Sequence, residues 1–149
     1  MEIRRAELKD LPIVVKMKME MFREVGAISS LQENVEDKIK ETYGQLYRED
    51  KCCHFLLCES NNVVAIGGAI IKEDVPYCFF KTPYYGYVVD VYCIPSERKK
   101  GYATQVMEKL IEWLERKGCH KVKLMPSEVG RIMYNKLGFC NSGEMEKKI

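Results

Sequence analysis

The sequence predicts a single α/β domain, and three observations carry that prediction. The chain has 149 residues, which suits one domain with one substantial core. Its apolar periodicity is helix-like before residue 50, strand-like between 54 and 94, and helix-like again after 101. No repeat or low-complexity linker divides it, so residues 1–149 read as one unit.

Residues 3–6 form a short first strand. Asp10 is an N-cap candidate for a helix to about residue 25. Leu11, Val14, Val15, Phe22 and Val25, with Ile13, Met17 and Met21, give that helix a broad apolar stripe. Met17, Met19 and Met21 read as core filler, with a deformable pocket lining as the alternative. Residues 26–30 break the helix. Ser30 with Glu33 makes a capping-box pattern, and Asn34 followed by Glu36 and Asp37 is a competing start. Either opens a second helix to about residue 47, with Val35, Ile39, Tyr43, Leu46 and Tyr47 on one face.

The period then shortens. Residues 54–59 and 63–71 read as a hairpin turning at Asn61-Asn62. Gly67 and Gly68 inside its second strand predict a bulge or a close approach by another group. Residues 73–86 form a long connection rich in aromatics (Tyr77, Phe79, Phe80, Tyr84, Tyr85), either functional or an ordinary long hairpin over the sheet. Residues 87–94 form a strand that runs into Pro95. Ala103, Val106, Met107, Leu110, Ile111 and Leu114 then give a strong helical pattern, which Lys117-Gly118 ends. A strand at 121–125, a short helix at about 128–137 stopped by Gly138, and a last strand beyond Phe139 complete the order β-α-α-β-β-β-α-β-α-β.

A net charge of +2 indicates no general nucleic-acid surface. No apolar run has the length of a membrane span, and Met1-Glu2-Ile3-Arg4-Arg5 is followed by no apolar signal region. The expectation is a cytoplasmic protein with neither nucleic-acid nor membrane partners. Seven cysteines cannot all pair within one chain; Cys53, Cys58, Cys78 and Cys93, inside apolar runs, read as reduced and inert. Cys52-Cys53-His54 and Cys119-His120 look like ligand clusters. Adjacent strand residues point to opposite faces, however, so no metal site is expected.

The informative unit is a strand, then Arg98-Lys99-Lys100-Gly101-Tyr102-Ala103, then a helix. A helix start leaves backbone N–H groups unpaired and carries partial positive charge, so phosphates bind there. Gly101 lets a ligand approach the backbone, Ala103 is nearly as small, and three basic side chains add charge. A phosphate-bearing ligand is one reading; a basic turn on a solvated surface is the other. Neither a Walker loop nor a dinucleotide fingerprint is present.

The stretch from Val91-Tyr92-Cys93-Ile94-Pro95 through Arg98-Lys99-Lys100-Gly101-Tyr102-Ala103 resembles the cofactor motif of the GNAT superfamily of acetyl-CoA-dependent N-acetyltransferases. Gly130-Arg131-Ile132-Met133-Tyr134-Asn135-Lys136-Leu137-Gly138-Phe139 resembles that family's second signature. The two stand in register with an element order that matches over essentially the whole chain.

The resemblance implies a mixed, mostly antiparallel sheet of six to seven strands. About four helices flank it, and its strands splay at the cofactor site. It implies acetyl-CoA as cofactor. The pantetheine arm would lie along main-chain groups of Val91, Tyr92 and Cys93 like an added strand, and the pyrophosphate would meet the amides of Arg98, Lys99, Lys100, Gly101, Tyr102 and Ala103. Ser127 stands where many members have a cofactor-binding asparagine, and Cys93 replaces a commoner aliphatic residue.

The implied reaction is direct attack of a primary amine on the thioester in a ternary complex. It needs a neutral amine, a donor for the oxyanion and a proton for the thiolate. A strand amide between Val91 and Cys93 would meet the oxyanion. Tyr134 matches the family's general acid, the alternative being a structural tyrosine. Asp90, a carboxylate in mid-strand, is either the group that orients or deprotonates the amine or a hydrogen-bonded structural carboxylate. Glu20 and Glu24 are further acceptor-side candidates.

The acceptor would be a small-molecule amine, an amino acid or a peptide. The aromatic connection is a candidate homodimer contact. The competing functions are an acyl-CoA-binding module without turnover and a cysteine-based redox or metal protein.

Overall fold

The computed structural model describes residues 1–76 and 82–149, and Tyr77, Cys78, Phe79 and Phe80 lie outside them. Among the described residues five strands form one sheet in chain order: β1 (Glu2–Arg5), β2 (Cys52–Glu59), β3 (Asn62–Glu73), β4 (Tyr84–Cys93) and β5 (Val122–Lys123). The first four pair antiparallel, and β5 joins β4 in parallel. Four α-helices flank the sheet: α1 (Leu11–Glu24), α2 (Val35–Arg48), α3 (Tyr102–Arg116) and α4 (Arg131–Lys136). This is the predicted α/β architecture with a smaller sheet, five strands in place of six to seven. The strand expected beyond Phe139 does not form, since residues 137–149 carry no regular structure.

The two faces of the sheet hold separate apolar clusters. On one, Val106, Met107, Leu110, Trp113 and Leu114 of α3 pack on Phe55, Leu57, Ala65, Ala69 and Val88. On the other, Leu11, Val14 and Met17 of α1 and Tyr43 of α2 pack on Cys52, Leu56, Ile66 and Tyr92. Leu110 has no exposed surface, so truncating it to alanine costs about 2–5 kcal/mol.

Local chemistry sets the element ends. Asp10 precedes α1 but does not cap it with its side chain. Its carboxylate instead accepts both Arg4 Nη1 and Nη2 at 2.8 Å and the Glu7 N–H at 2.8 Å. Of the two candidate starts for α2, Asn34 is used, in a left-handed conformation (φ 56°), which Asn tolerates better than most residues. The hairpin turns at Ser60-Asn61, both with positive φ, one residue before the predicted pair. β3 and β4 run further than expected, leaving residues 74–83 as the connection, closed by the Asp74 N–H on the Pro83 carbonyl at 2.8 Å.

Candidate active site

β4 carries the site. It pairs one-to-one with β3 from Glu73↔Tyr84 to Gly68↔Val89 and again from Ile66↔Tyr92, so that Gly67 faces both Asp90 and Val91. This is a β-bulge. Asp90 has φ 58°, a left-handed conformation that costs a residue with a side chain about 1–2 kcal/mol. The glycine pair is tied to both features it suggested. A Cβ on Gly67 would lie 2.7 Å from Val106 Cγ1 on the α3 face, and one on Gly68 would lie 2.4 Å from His54 Nε2 on the other face. The extra residue shifts side-chain parity. Val88 and then Val91 and Cys93 belong to the α3 cluster, while Tyr92 belongs to the α1–α2 cluster.

Asp90 also points to the α1–α2 face, where its side chain has no accessible surface. Its carboxylate accepts the Tyr43 hydroxyl at 2.5 Å, lies 2.9 Å from His54 Nε2, and forms an ion pair with Lys18. Lys18 Nζ also reaches the Tyr43 hydroxyl at 3.1 Å, and the Tyr47 hydroxyl sits 2.7 Å from His54 Nδ1. With Nε2–H donating to Asp90, Nδ1 is left to accept from Tyr47. Burial alone would raise the Asp90 pKa. The His54 hydrogen bond and the charge and hydrogen bond of Lys18 outweigh it and hold the carboxyl at about 2.

From Val88 onward, the bulge included, the β4 edge facing β5 is open. β5 pairs only at Gly86↔Val122 and Tyr87↔Lys123, so among the described residues 88–93 have no strand on that side. This fits the splay that the family resemblance implies.

The segment after β4 turns through Lys99 (φ 64°) and Gly101 (φ 80°), both left-handed. Such turns draw successive N–H groups into an anion-binding concavity. α3 begins at Tyr102, and its first helical bond runs from the Gln105 N–H to the Gly101 carbonyl at 3.1 Å. The amides of Tyr102, Ala103 and Thr104 precede it. A Cβ on Gly101 would meet nothing within 4 Å, so the turn has open space beside it. Backbone donors, a helix dipole and open space together fit a phosphate group.

The flanking side chains are largely engaged. Arg98 donates Nη2 to Glu24 at 2.6 Å and Nε to the Cys93 carbonyl at 2.9 Å, stacked over the Tyr92 ring. Glu24 also accepts the Tyr92 hydroxyl at 2.6 Å. The Tyr92 bond first, then Arg98, lowers the Glu24 pKa. Lys100 pairs with Glu97 at 2.5 Å. Tyr102 turns its ring into the core and its hydroxyl towards Glu59 at 3.4 Å.

Tyr134, on α4, is 9% exposed and packs edge-on against Phe139 with ring centroids 5.8 Å apart. Among the described residues its hydroxyl has no hydrogen-bond partner. Burial raises its pKa, which keeps the phenol protonated at neutral pH. Gly130 leaves room for the ring, since a Cβ there would lie 2.8 Å from Tyr134 Cε2. The Ser127 hydroxyl accepts the Gly130 N–H at 3.1 Å and so closes the turn into α4.

Comparison with known proteins places the chain. The model of the acetyltransferase (GNAT) family matches residues 16–139. The chain belongs to the GNAT acetyltransferase family. Three solved structures share its fold. A predicted acetyltransferase from Clostridium acetobutylicum, solved with acetyl-CoA, has a TM-score of 0.90 at 22% identity, over 99% of this chain and 95% of its own. A GCN5-related N-acetyltransferase from Ralstonia eutropha JMP134 reaches 0.89 at 23% identity, over 99% and 97%. Glucosamine-6-phosphate N-acetyltransferase from Arabidopsis thaliana reaches 0.68 at 21%, over 99% and 97%. No curated protein matches the sequence. GNAT enzymes use acetyl-CoA as acetyl donor. Among the described residues, no helix is long and apolar enough to cross a membrane.

Within this GNAT chain, Asp90, Val91, Tyr92 and Cys93 share the bulged stretch of β4, directly before the turn that holds Arg98 to Ala103. The catalytic-base reading of Asp90 meets a physical obstacle: its side chain is fully enclosed and both oxygens are taken by protein donors. Glu20 is paired with Arg23 at 2.6 Å. Met17 is core, whereas Met19 lines an open groove of about 340 Å³ between α1 and α2. Cys52, Cys53 and Cys119 are buried free thiols, Cys58 and Cys93 are half-buried, and Cys140 is exposed. Burial pushes the Cys53 thiol up to about 12, so it stays protonated and inert.

Lys18, Tyr43 and His54, which surround the Asp90 carboxylate, and Tyr47 behind His54 were not connected with Asp90 by the sequence reading. One signal was available: a single histidine in an apolar strand. Only the register that sets His54 opposite Gly68 reveals its connection to Asp90.

Proposed function

We propose that the protein transfers the acetyl group of acetyl-CoA to a primary amine, by direct attack of the amine in a ternary complex. One observation carries this reading: the open residue 88–93 edge of β4 leads directly into the Lys99–Gly101 concavity at the start of α3. An edge strand supplies main-chain partners for a linear amide-bearing arm, and the concavity supplies amides for phosphates. Val91 and Cys93 would hold the arm, and the amides from Arg98 to Ala103 the pyrophosphate. Ser127 stands at the turn into α4 as a further polar contact.

When bound, acetyl-CoA supplies an activated acetyl group on sulfur. The chain supplies the rest. A bulge amide at Asp90 or Val91 donates to the carbonyl oxygen as negative charge gathers there, a kind of contact worth roughly 10²–10³ in rate. The Tyr134 hydroxyl gives its proton to the departing sulfur and recovers one from water. The amine sheds one proton to solvent before attack and a second to water as the amide forms, which balances the proton that Tyr134 gives to sulfur, and Asp90 contributes by holding the strand. The acceptor class is a small amine, an amino acid or a peptide.

The test is release of coenzyme A thiol from acetyl-CoA with a panel of amines. Amine-dependent release supports transfer. Binding of acetyl-CoA by calorimetry with no release across the panel would leave an acyl-CoA-binding module instead.

A further inference from the structure

The buried polar group on the α1–α2 face has no direct part in the reaction above. It nevertheless grips the one residue of the β4 core stretch that is left-handed. We propose that His54 is a positioning residue for acetyl transfer: with Lys18 and Tyr43 it clamps the Asp90 carboxylate, and the clamp holds the bulge that aims the Asp90 and Val91 amides. The proposal rests on the acetyl-transfer reading.

The geometry supports a clamp rather than filler. The three groups that hold the carboxylate come from three elements, Lys18 from α1, Tyr43 from α2 and His54 from β2. Relaxation of Asp90 to an extended conformation would swing its carboxylate away from all of them. His54 is the most constrained of the three. It has no exposed surface, its ring fills the space that Gly68 leaves, and its second nitrogen is fixed by Tyr47 at 2.7 Å. A buried ionic group is weak evidence for stability, because apolar side chains of similar volume often serve as well. Its position on the bulge gives it a geometric use. A residue's hand sets the orientation of the peptide that follows it, here the Asp90–Val91 peptide on the open edge of β4.

The experiment compares His54→Phe and His54→Gln in the full chain. Phenylalanine keeps a ring against Gly68 and removes both hydrogen bonds. Glutamine returns an N–H donor towards Asp90. The first readout is amide hydrogen exchange in the ligand-free protein. His54→Phe should speed exchange of the hydrogen-bonded β3 and β4 amides that flank the bulge about tenfold while α3 keeps its protection, and His54→Gln should restore the wild-type rate. The second readout is steady-state kinetics with the best amine of the panel. His54→Phe should lower kcat about tenfold or more with little change in KM for acetyl-CoA.

Wild-type exchange at those flanking amides, a uniform rise across the sheet, or an unchanged kcat would each overturn the positioning role. A wild-type protein that releases no thiol with any amine would overturn the acetyl-transfer reading itself, a result distinct from the other three. If His54→Phe does not fold, Tyr43→Phe, which deletes the 2.5 Å bond to Asp90, is held to the same outcomes.

Discussion

Replacing Tyr134 by phenylalanine separates chemistry from packing. The ring is 9% exposed, lies edge-on to Phe139 and fills the space beside Gly130. Phenylalanine retains all of these contacts. The hydroxyl has no protein partner among the described residues, so its loss strands no buried donor or acceptor. The stability change should stay within about 0.5 kcal/mol, a shift of roughly 1–2 °C in Tm for a chain of this size. Acetyl-CoA affinity by calorimetry should be unchanged.

The catalytic effect should be much larger. General acid help is worth about 10²–10⁴-fold, and a thiolate is already a fair leaving group. A drop of about tenfold to a hundredfold in kcat follows, measured where chemistry limits the rate. Burial raises the phenol's pKa, so the wild-type acid stays protonated throughout the neutral range, and the variant's deficit should be independent of pH there. A normal kcat in a variant of normal Tm would refute the general-acid assignment and return Tyr134 to a packing role.

Three other perturbations follow from the geometry. Gly101→Val forces a branched side chain into φ 80° and so distorts the turn that presents the amides; acetyl-CoA affinity by calorimetry should fall about tenfold or more, and unchanged affinity in a folded variant would refute the phosphate placement. Gly68→Ala puts a Cβ 2.4 Å from His54 Nε2. It should cost about 1–3 kcal/mol by urea unfolding, more than Gly118→Ala, whose Cβ meets nothing within 4 Å and whose cost is conformational. In acid, Asp10 is held at about 2 by the Arg4 hydrogen bonds, and Asp90 at about 2 by His54 and Lys18 against the effect of burial. Both folded values lie below the unfolded one, so this stability is present above about pH 4 and lost towards about pH 2. The urea midpoint should fall across that window, less steeply in Asp10→Asn.

What was legible in the sequence is what local pattern determines. The apolar stripe of α3 and the strand–turn–helix unit around Gly101 depend on spacing alone, and they stand where periodicity placed them. The Gly67–Gly68 pair announced crowding, because only an absent side chain explains two glycines in mid-strand. Its two neighbours, Val106 and His54, come from distant elements and were invisible. Asp90 was legible as an anomaly and not as a clamp, since its three partners lie 36 to 72 residues away in sequence. The strand expected past Phe139 rested on position in the element order rather than on any alternation, and no ladder holds it. At Asp10, an N-cap residue type was recruited by Arg4 instead, because a bidentate guanidinium outbids a single amide.

At Gly86 only one neighbour, Leu114 of α3, rests on the main chain, whereas at Gly67–Gly68 the sheet is bare of side chains on both faces in succession. Here the tip of Val106 on one face and the imidazole of His54 on the other rest directly on the β3 backbone. Such a place behaves as a stiff diaphragm. A methyl group added on the α3 side has no compressible neighbour, and its displacement passes through the strand to the ring beyond. Substitutions in the middle of α3 can therefore tune the buried carboxylate from the opposite face of the molecule without contact with it, and a search for altered activity confined to the residues lining the site would miss them.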